Sequence, residues 1–350
     1  MHRKSRKSGI VTESSRDESD MKKNNQIRNS GLLMITSMIW GAAFVAQSMG
    51  MDYVGPATFL FARSVIGTLA LVPVALVTGR IQKKKEEENQ GLSNDQDPVI
   101  REGAWKRSLR NPLLIRGGLI CGFFLFSASI FQQVGIQYTT AGKAGFITAL
   151  YIMIVPIIGI FLGKKNGIRV WIAMVMGIIG LYFLCIRESL SIGQGDILMV
   201  VCAFLFSVQI LSVDYYSPKV DGIRLSMLEF FFESIFAGVL MVMTETPRLA
   251  DMKAAAGPIL YAGLFSTGIG YTLQIIGQRD LNPAIASLIM SLESVFSLVF
   301  GFIILHESMT GRECVGCLIM FAAILVAQLP APGRQKMEEA AMTEVDRYDL

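Results

Sequence analysis

Ten apolar blocks, each about as long as a helix needs to cross a bilayer, dominate this chain of 350 residues. A membrane's hydrocarbon core is about 30 Å thick and a helix rises about 1.5 Å per residue, so roughly 20 apolar residues suffice. The blocks run 31–50, 56–79, 113–136, 141–163, 168–187, 196–216, 223–244, 256–277, 283–305 and 311–330. Gly55-Pro56, Asn111-Pro112, Gly257-Pro258 and Asn282-Pro283 punctuate them, each ahead of a helix start. Charged residues make up 17% of the chain, against roughly 25% in soluble domains, and most gather in 1–29, 80–112 and 331–350. The pattern predicts an all-α polytopic membrane protein with ten transmembrane helices.

The series of blocks also repeats itself. Residues 123–163 match 265–305 without a gap at an offset of 142, so that Phe123 meets Phe265, Gln132 meets Gln274, Gly135 meets Gly277 and Gly159 meets Gly301. A polar residue and glycines in register beside two apolar spans point to a duplicated membrane hairpin. Two sets of five crossings follow, 31–187 and 196–330. Five is odd, so the second set enters the membrane from the opposite side. The repeats are inverted, and such folds place a solute site near the midplane between the halves.

Outside the spans, residues 1–30 are expected to form a disordered tail, 80–112 a solvated insertion and 331–350 a second tail. Met21 ahead of Lys22-Lys23 competes with Met1 as the start. With the N-terminus in the cytoplasm, the cytoplasmic segments carry 25 lysines and arginines and the opposite side 4. The positive-inside rule therefore puts both termini in the cytoplasm and the protein in the cell membrane. The five cysteines all lie in apolar blocks, and Cys314-x-x-Cys317 has no second ligand pair, so packing roles are expected. No metal, cofactor or nucleic-acid partner is expected; the partners are the lipid bilayer and a small solute, and a homodimer is entertained.

Ionisable groups within a span need a partner, a wet cavity or an interface. Arg63, Lys143, Glu229, Glu233 and Glu293 lie within the spans. Glu229 and Glu233, four apart on one helix face, read either as an ion-coupling site, with protons the natural ion, or as one acid near the helix end in water and the other paired with Arg63 on the corresponding span of the first repeat. Glu293 occupies the repeat position of Tyr151, so both copies are polar at that depth. Trp40, Gln47, Gln132, Tyr151, Gln209, Tyr271, Gln274 and Glu293 are candidates to line a central cavity; they equally suit bonds between helices. Gly118/Gly122 and Gly159/Gly163 have the spacing of close helix packing, and Pro73 and Pro156 are expected to kink their helices.

Over residues 31–330 the chain resembles the EamA-like ten-helix permeases of the drug/metabolite transporter superfamily. The resemblance rests on Ile39-Trp40-Gly41-Ala42-Ala43-Phe44, the Pro56 to Arg63 pattern, Tyr138-Thr139-Thr140-Ala141-Gly142-Lys143-Ala144 leading to Val155-Pro156, and Ser291-Leu292-Glu293-Ser294-Val295-Phe296, then Gly301, Glu307 and Gly316. It implies an inverted five-plus-five fold that moves small organic solutes without an ATPase domain. Ser294 departs from the proline that such proteins often carry there, which leaves the local kink open.

Three functions are weighed. A secondary transporter, exporting metabolites or drugs by alternating access, fits the repeats and the missing Walker sequence. An intramembrane lipid-modifying enzyme or protease needs clustered catalytic groups, whereas the two histidines are His2 and His306 and no Gly-x-Ser-x-Gly is present. A non-transporting scaffold would rest on the 80–112 segment and the tails. The reading taken forward is a transporter with no enzymatic activity.

Overall fold

The computed structural model describes residues 2–89, 111–138, 141–185, 193–279, 281–304 and 310–329. Most of the 80–112 insertion, Arg187, His306, Glu307 and the 331–350 tail lie outside them, as does the side chain of Lys143. Among the described residues every regular element is a helix. In chain order they are α1 (His2–Met51), α2 (Pro56–Asn89), α3 (Pro112–Ile136), α4 (Ala141–Thr148), α5 (Tyr151–Phe161), α6 (Ile168–Cys185), α7 (Gln194–Tyr216) and α8 (Gly222–Thr244). The short α9 (Leu249–Ala254) precedes α10 (Ala256–Tyr261), a π-helix (Ala262–Tyr271), α11 (Thr272–Gln278), α12 (Pro283–Met290), α13 (Glu293–Ile304) and α14 (Gly311–Gln328).

These elements make ten crossings in two inverted five-helix repeats. Eight are long apolar helices, and two shorter ones, Tyr151–Phe161 and Ile168–Phe183, complete the count. The fourth span is α4 with α5, the eighth is α10 through α11, and the ninth is α12 with α13. Helical backbone also extends past the apolar parts. It reaches back to His2 through the polar leader expected to lack regular structure, and forward to Asn89 into the expected insertion. Once a span has nucleated a helix, adding a residue at its end fixes one more pair of dihedrals for one more hydrogen bond.

The contacts between spans respect the duplication. The second span packs on the seventh and the fifth on the tenth, each the other's repeat counterpart. The third packs on the sixth as the first does on the eighth, and the fourth on the sixth as the first on the ninth. Each contact is mapped onto another when the repeats are exchanged, as a pseudo-two-fold axis requires. Large apolar side chains such as Leu69, Val242 and Leu325 stay mostly exposed on the outside, where lipid solvates them as well as a core would.

Close approach is set by glycine in two places and by turn geometry in a third. A Cβ on Gly118 would lie 2.5 Å from Leu228 Cβ, and one on Gly122 2.5 Å from the carbonyl oxygen of Glu229, so α3 and α8 meet nearly backbone to backbone. Gly41 plays the same part between α1 and α13, where a Cβ would lie 2.5 Å from Phe296 Cβ. The pair Gly159/Gly163 does not pack this way, contrary to expectation. Gly163 has φ 78° and ends α5: its N–H donates to Ile160 O at 2.9 Å, and Lys164 N–H to Gly159 O at 2.8 Å. That is a Schellman cap, which needs the left-handed region at its glycine.

Candidate functional site

The fourth and ninth spans both break, and at the same repeat position. In the fourth, Leu150 N–H donates to Ile147 O (3.1 Å) and Ile152 N–H to Ala149 O (3.0 Å). In the ninth, Leu292 N–H donates to Ile289 O (3.1 Å) and Ser294 N–H to Ser291 O (3.2 Å). Every one of these residues differs from its counterpart by 142. The bonds reach back three residues instead of four, so each helix is pinched by one tight turn. Proline is not the cause at either site. Pro156 lies within α5 beyond the break, and the ninth span has Ser294 where a proline was the question. There the hydroxyls of Ser287 and Ser291 bond back to Ala284 O (3.0 Å) and Leu288 O (2.7 Å), satisfying carbonyls and tightening the turn.

The pinches place Tyr151 and Glu293 at the first positions of α5 and α13, deep in the fold, and turn them towards each other. Tyr151 Oη donates to Glu293 Oε1 at 3.0 Å. Around this pair the repeats enclose a cavity. Trp40, Gln47, Gln132 and Tyr151 line it from the first repeat, and Gln209, Tyr271, Gln274 and Glu293 from the second. Arg63 joins them. Phe44, part of the stretch that carries the resemblance, also lines the cavity, and further wall residues that the sequence did not single out include Phe206 and Ser266. About 30 Å³ is open to the centres of water molecules, room for on the order of two waters. The Trp40 and Tyr271 rings lie 4.5 Å apart at 51°, and Phe230 backs Tyr271 edge-on at 5.4 Å.

Two buried polar chains flank the cavity, one in each repeat, built from corresponding spans. In the first repeat Arg63 (second span) donates to Gln47 Oε1 (first span) at 3.5 Å, and Gln133 (third span) donates to the same oxygen at 2.9 Å. In the second repeat Gln209 (sixth span) donates to Glu229 Oε1 (seventh span) at 2.8 Å, and Gln274 (eighth span) donates to Gln209 Oε1 at 3.3 Å. The wiring is shared and the charge reversed: a guanidinium heads one chain, a carboxylate the other.

Glu233 crosses between them. Its carboxylate lies 3.5 Å from Arg63 Nη2 and accepts from Ser64 Oγ at 2.7 Å, while Arg63 also donates to Ser129 Oγ at 3.0 Å. Glu229 and Glu233 thus share a helix face but not a partner. Glu229 is fully buried, its Oε1 accepts from Gln209, and its Oε2 has no hydrogen-bond partner among the described residues. Neither Glu229 nor Glu233 lines the cavity; Glu229 reaches it through Gln209.

The π-helix Ala262–Tyr271 carries Ser266 and Tyr271 into the wall. Its small residues let neighbours in close: a Cβ on Gly263 would meet Ile66 Cβ at 2.7 Å, and one on Gly270 would meet Trp40 Nε1 at 2.8 Å. The wider turn shifts side chains relative to a straight helix, as π segments do where a wall must be re-aimed. Among the described residues no three His, Cys, Asp or Glu side chains converge as metal ligands would. Cys314 and Cys317 are free thiols at the start of α14.

Comparison with known proteins agrees with this architecture. The profile of the EamA-like transporter family matches twice, at residues 30–186 and 193–328, once for each repeat. An uncharacterised transporter of Archaeoglobus fulgidus is 26% identical over 301 residues, covering 85% of this chain and 84% of its own. The uncharacterised transporter YoaV of Bacillus subtilis is 24% identical over 302 residues (85% and 94%). An Arabidopsis thaliana chloroplastic WAT1-related protein is 22% identical over 317 residues (85% and 69%). A solved crystal structure shares the fold with a TM-score of 0.66 at 14% identity, over 85% of this chain and 96% of that one.

Proposed function

The chain belongs to the EamA-like transporter family and is a multi-pass membrane transporter, and from that premise we propose a secondary carrier that exports a small organic solute by alternating access. The observation that carries this reading is the cavity at the break points, to which each repeat contributes four of the eight residues singled out from sequence. A site shared equally by two rigid halves changes its opening when the halves rock.

Contacts between the halves close the path on both faces. On the face where α1 enters the membrane, Asn29 Nδ2 donates to Arg279 O at 2.6 Å, Lys164 pairs with Asp214, and Asn282 Nδ2 donates to Asn166 Oδ1 at 3.1 Å. On the other face Glu245, just past α8, accepts from Ala57 N–H (2.8 Å), Thr58 N–H (2.9 Å) and Thr58 Oγ (2.6 Å) at the start of α2. Opening towards one side breaks one set and keeps the other. Glu229, a carboxylate bonded to the wall through Gln209, is the group we assign to carry a coupling proton. The excess of lysine and arginine in alternate loops supports a reading with both termini in the cytoplasm and the protein in the cytoplasmic membrane.

The test is metabolite profiling of the medium around cells with the intact chain, without it, and with Glu293→Gln. Export predicts solutes that accumulate outside only with the intact chain, at equal membrane levels of the variant. Identical profiles in all three would remove the export reading. In vesicles loaded with such a solute, flux that ignores an imposed pH gradient would remove the proton alone.

A further inference from the structure

Charge in and around the cavity does not balance. Among the described residues Arg63 is the one cation lining it, and Glu233 already faces that guanidinium at 3.5 Å. Glu293 is the one lining carboxylate among the described residues, and it accepts a hydrogen bond from a neutral group, the Tyr151 hydroxyl, at 3.0 Å. An ionised carboxylate in a low-dielectric wall, with no cation bonded to it among the described residues, is stabilised by a positive charge in the space it faces.

The rest of the wall suits such an occupant. Trp40 and Tyr271 hold their rings together there, Phe44, Phe206 and Tyr151 add further aromatic surface, and the buried Gln274 Oε1 has no donor. Aromatic faces attract a desolvated cation through their quadrupole, and alkylated ammonium groups are held in this manner.

We propose that the transported solute carries a positively charged nitrogen, which rests on the Glu293 carboxylate against the aromatic wall. The inference depends on the cavity being the solute site. It commits further to the sign of the charge: the solute is an organic cation of small cross-section.

Three isosteric probes test the sign: choline, the neutral 3,3-dimethyl-1-butanol and the anionic 3,3-dimethylbutanoate. Each is titrated against the full chain in detergent micelles, and the shift of the thermal unfolding midpoint gives an affinity. Choline is expected to bind about tenfold or more tightly than the alcohol, and the anion most weakly. Glu293→Gln should bring choline down to the alcohol's affinity while leaving the alcohol unchanged. Ala43→Trp, which fills the cavity, should weaken choline and the alcohol together. Equal binding of the three, preference for the anion, or full choline preference in Glu293→Gln overturns the inference. If the alcohol binds as well as choline and Ala43→Trp blocks both, the cavity stands and the charge assignment falls. If none binds, the cation inference falls, while export is judged separately by the metabolite profiles. The comparison on the unaltered chain decides the sign even if Glu293→Gln does not fold.

Discussion

Tyr151 donates its hydroxyl proton to Glu293 across 3.0 Å, and the two residues stand 142 positions apart, the offset at which the chain repeats itself. A residue bonded to its own repeat counterpart must lie beside the pseudo-two-fold axis. The pair therefore marks the centre of the molecule. It also marks where the repeats differ in chemistry, a neutral phenol in one and a carboxylic acid in the other.

Removing the hydroxyl with Tyr151→Phe leaves a buried carboxyl oxygen without its donor. The expected cost is about 1–3 kcal/mol, read as a lower unfolding midpoint in detergent. Glu293→Gln keeps an acceptor oxygen for the phenol and should cost less. The double variant should fall short of the sum by about 1 kcal/mol, because residues in contact are not additive. Additive losses would mean that the bond contributes nothing to stability.

The Arg63–Glu233 pair gives a different pattern. Both side chains are almost fully buried, at 3% and 0% exposure, and removing one strands the charge of the other. Glu233→Gln and Arg63→Met should each destabilise by about 3–5 kcal/mol, whereas the double variant Arg63→Met with Glu233→Leu should recover most of that loss. Unfolding midpoints at matched detergent concentration check it. A double variant worse than either single one would show that the pair itself holds the halves together.

Much of this arrangement was legible from residues alone, because membrane burial restricts what each residue type can do. Apolar length located the spans, and a glutamine or carboxylate in mid-span has few places to go except a cavity or a partner helix. The eight cavity candidates converge for that reason. The pairing of Arg63 with Glu233 in preference to Glu229 was not legible: both acids share a helix face, and the hydroxyls of Ser64 and Ser129 that complete the network are common in any apolar helix. The π turn was not legible either: it brings Gly263 against Ile66 and Gly270 against Trp40, contacts between residues far apart in the chain. Gly163 shows the converse error, a spacing read as packing where the backbone needed a positive φ.

Glycine substitutions should sort by what the new methyl meets. Gly122→Ala drives a Cβ to 2.5 Å from a backbone carbonyl that cannot swing aside, and Gly41→Ala meets backbone at 2.7 Å. Each should cost about 1–3 kcal/mol through displaced helices. Gly257→Ala meets nothing within 4 Å and serves as the neutral control. Gly163→Ala meets no atom either, yet its φ of 78° should cost about 1–2 kcal/mol. If Gly163→Ala proves as neutral as Gly257→Ala in the same unfolding assay, the left-handed cap is not held in the folded protein.

Glu245 offers the most direct view of motion. It lies outside the spans, belongs to the second half, and caps the first turn of α2 in the first half through three hydrogen bonds. A helix start satisfied by a carboxylate from elsewhere in the chain loses roughly 0.5–2 kcal/mol when that group goes. Here the loss falls on a contact that the proposed alternating access would break, so Glu245→Ala should favour the state open on that face. A cysteine introduced by Gln47→Cys into a background without the five native cysteines reports the opening through its labelling by a membrane-impermeant maleimide. Added from that face, the reagent should react about two- to thirtyfold faster in Glu245→Ala, the range that corresponds to 0.5–2 kcal/mol. From the opposite face, where Lys164–Asp214 and Asn166–Asn282 stay closed, labelling should slow. Acceleration from both faces would point to general loosening of the bundle, and no change from either would show that the cap is not a gate.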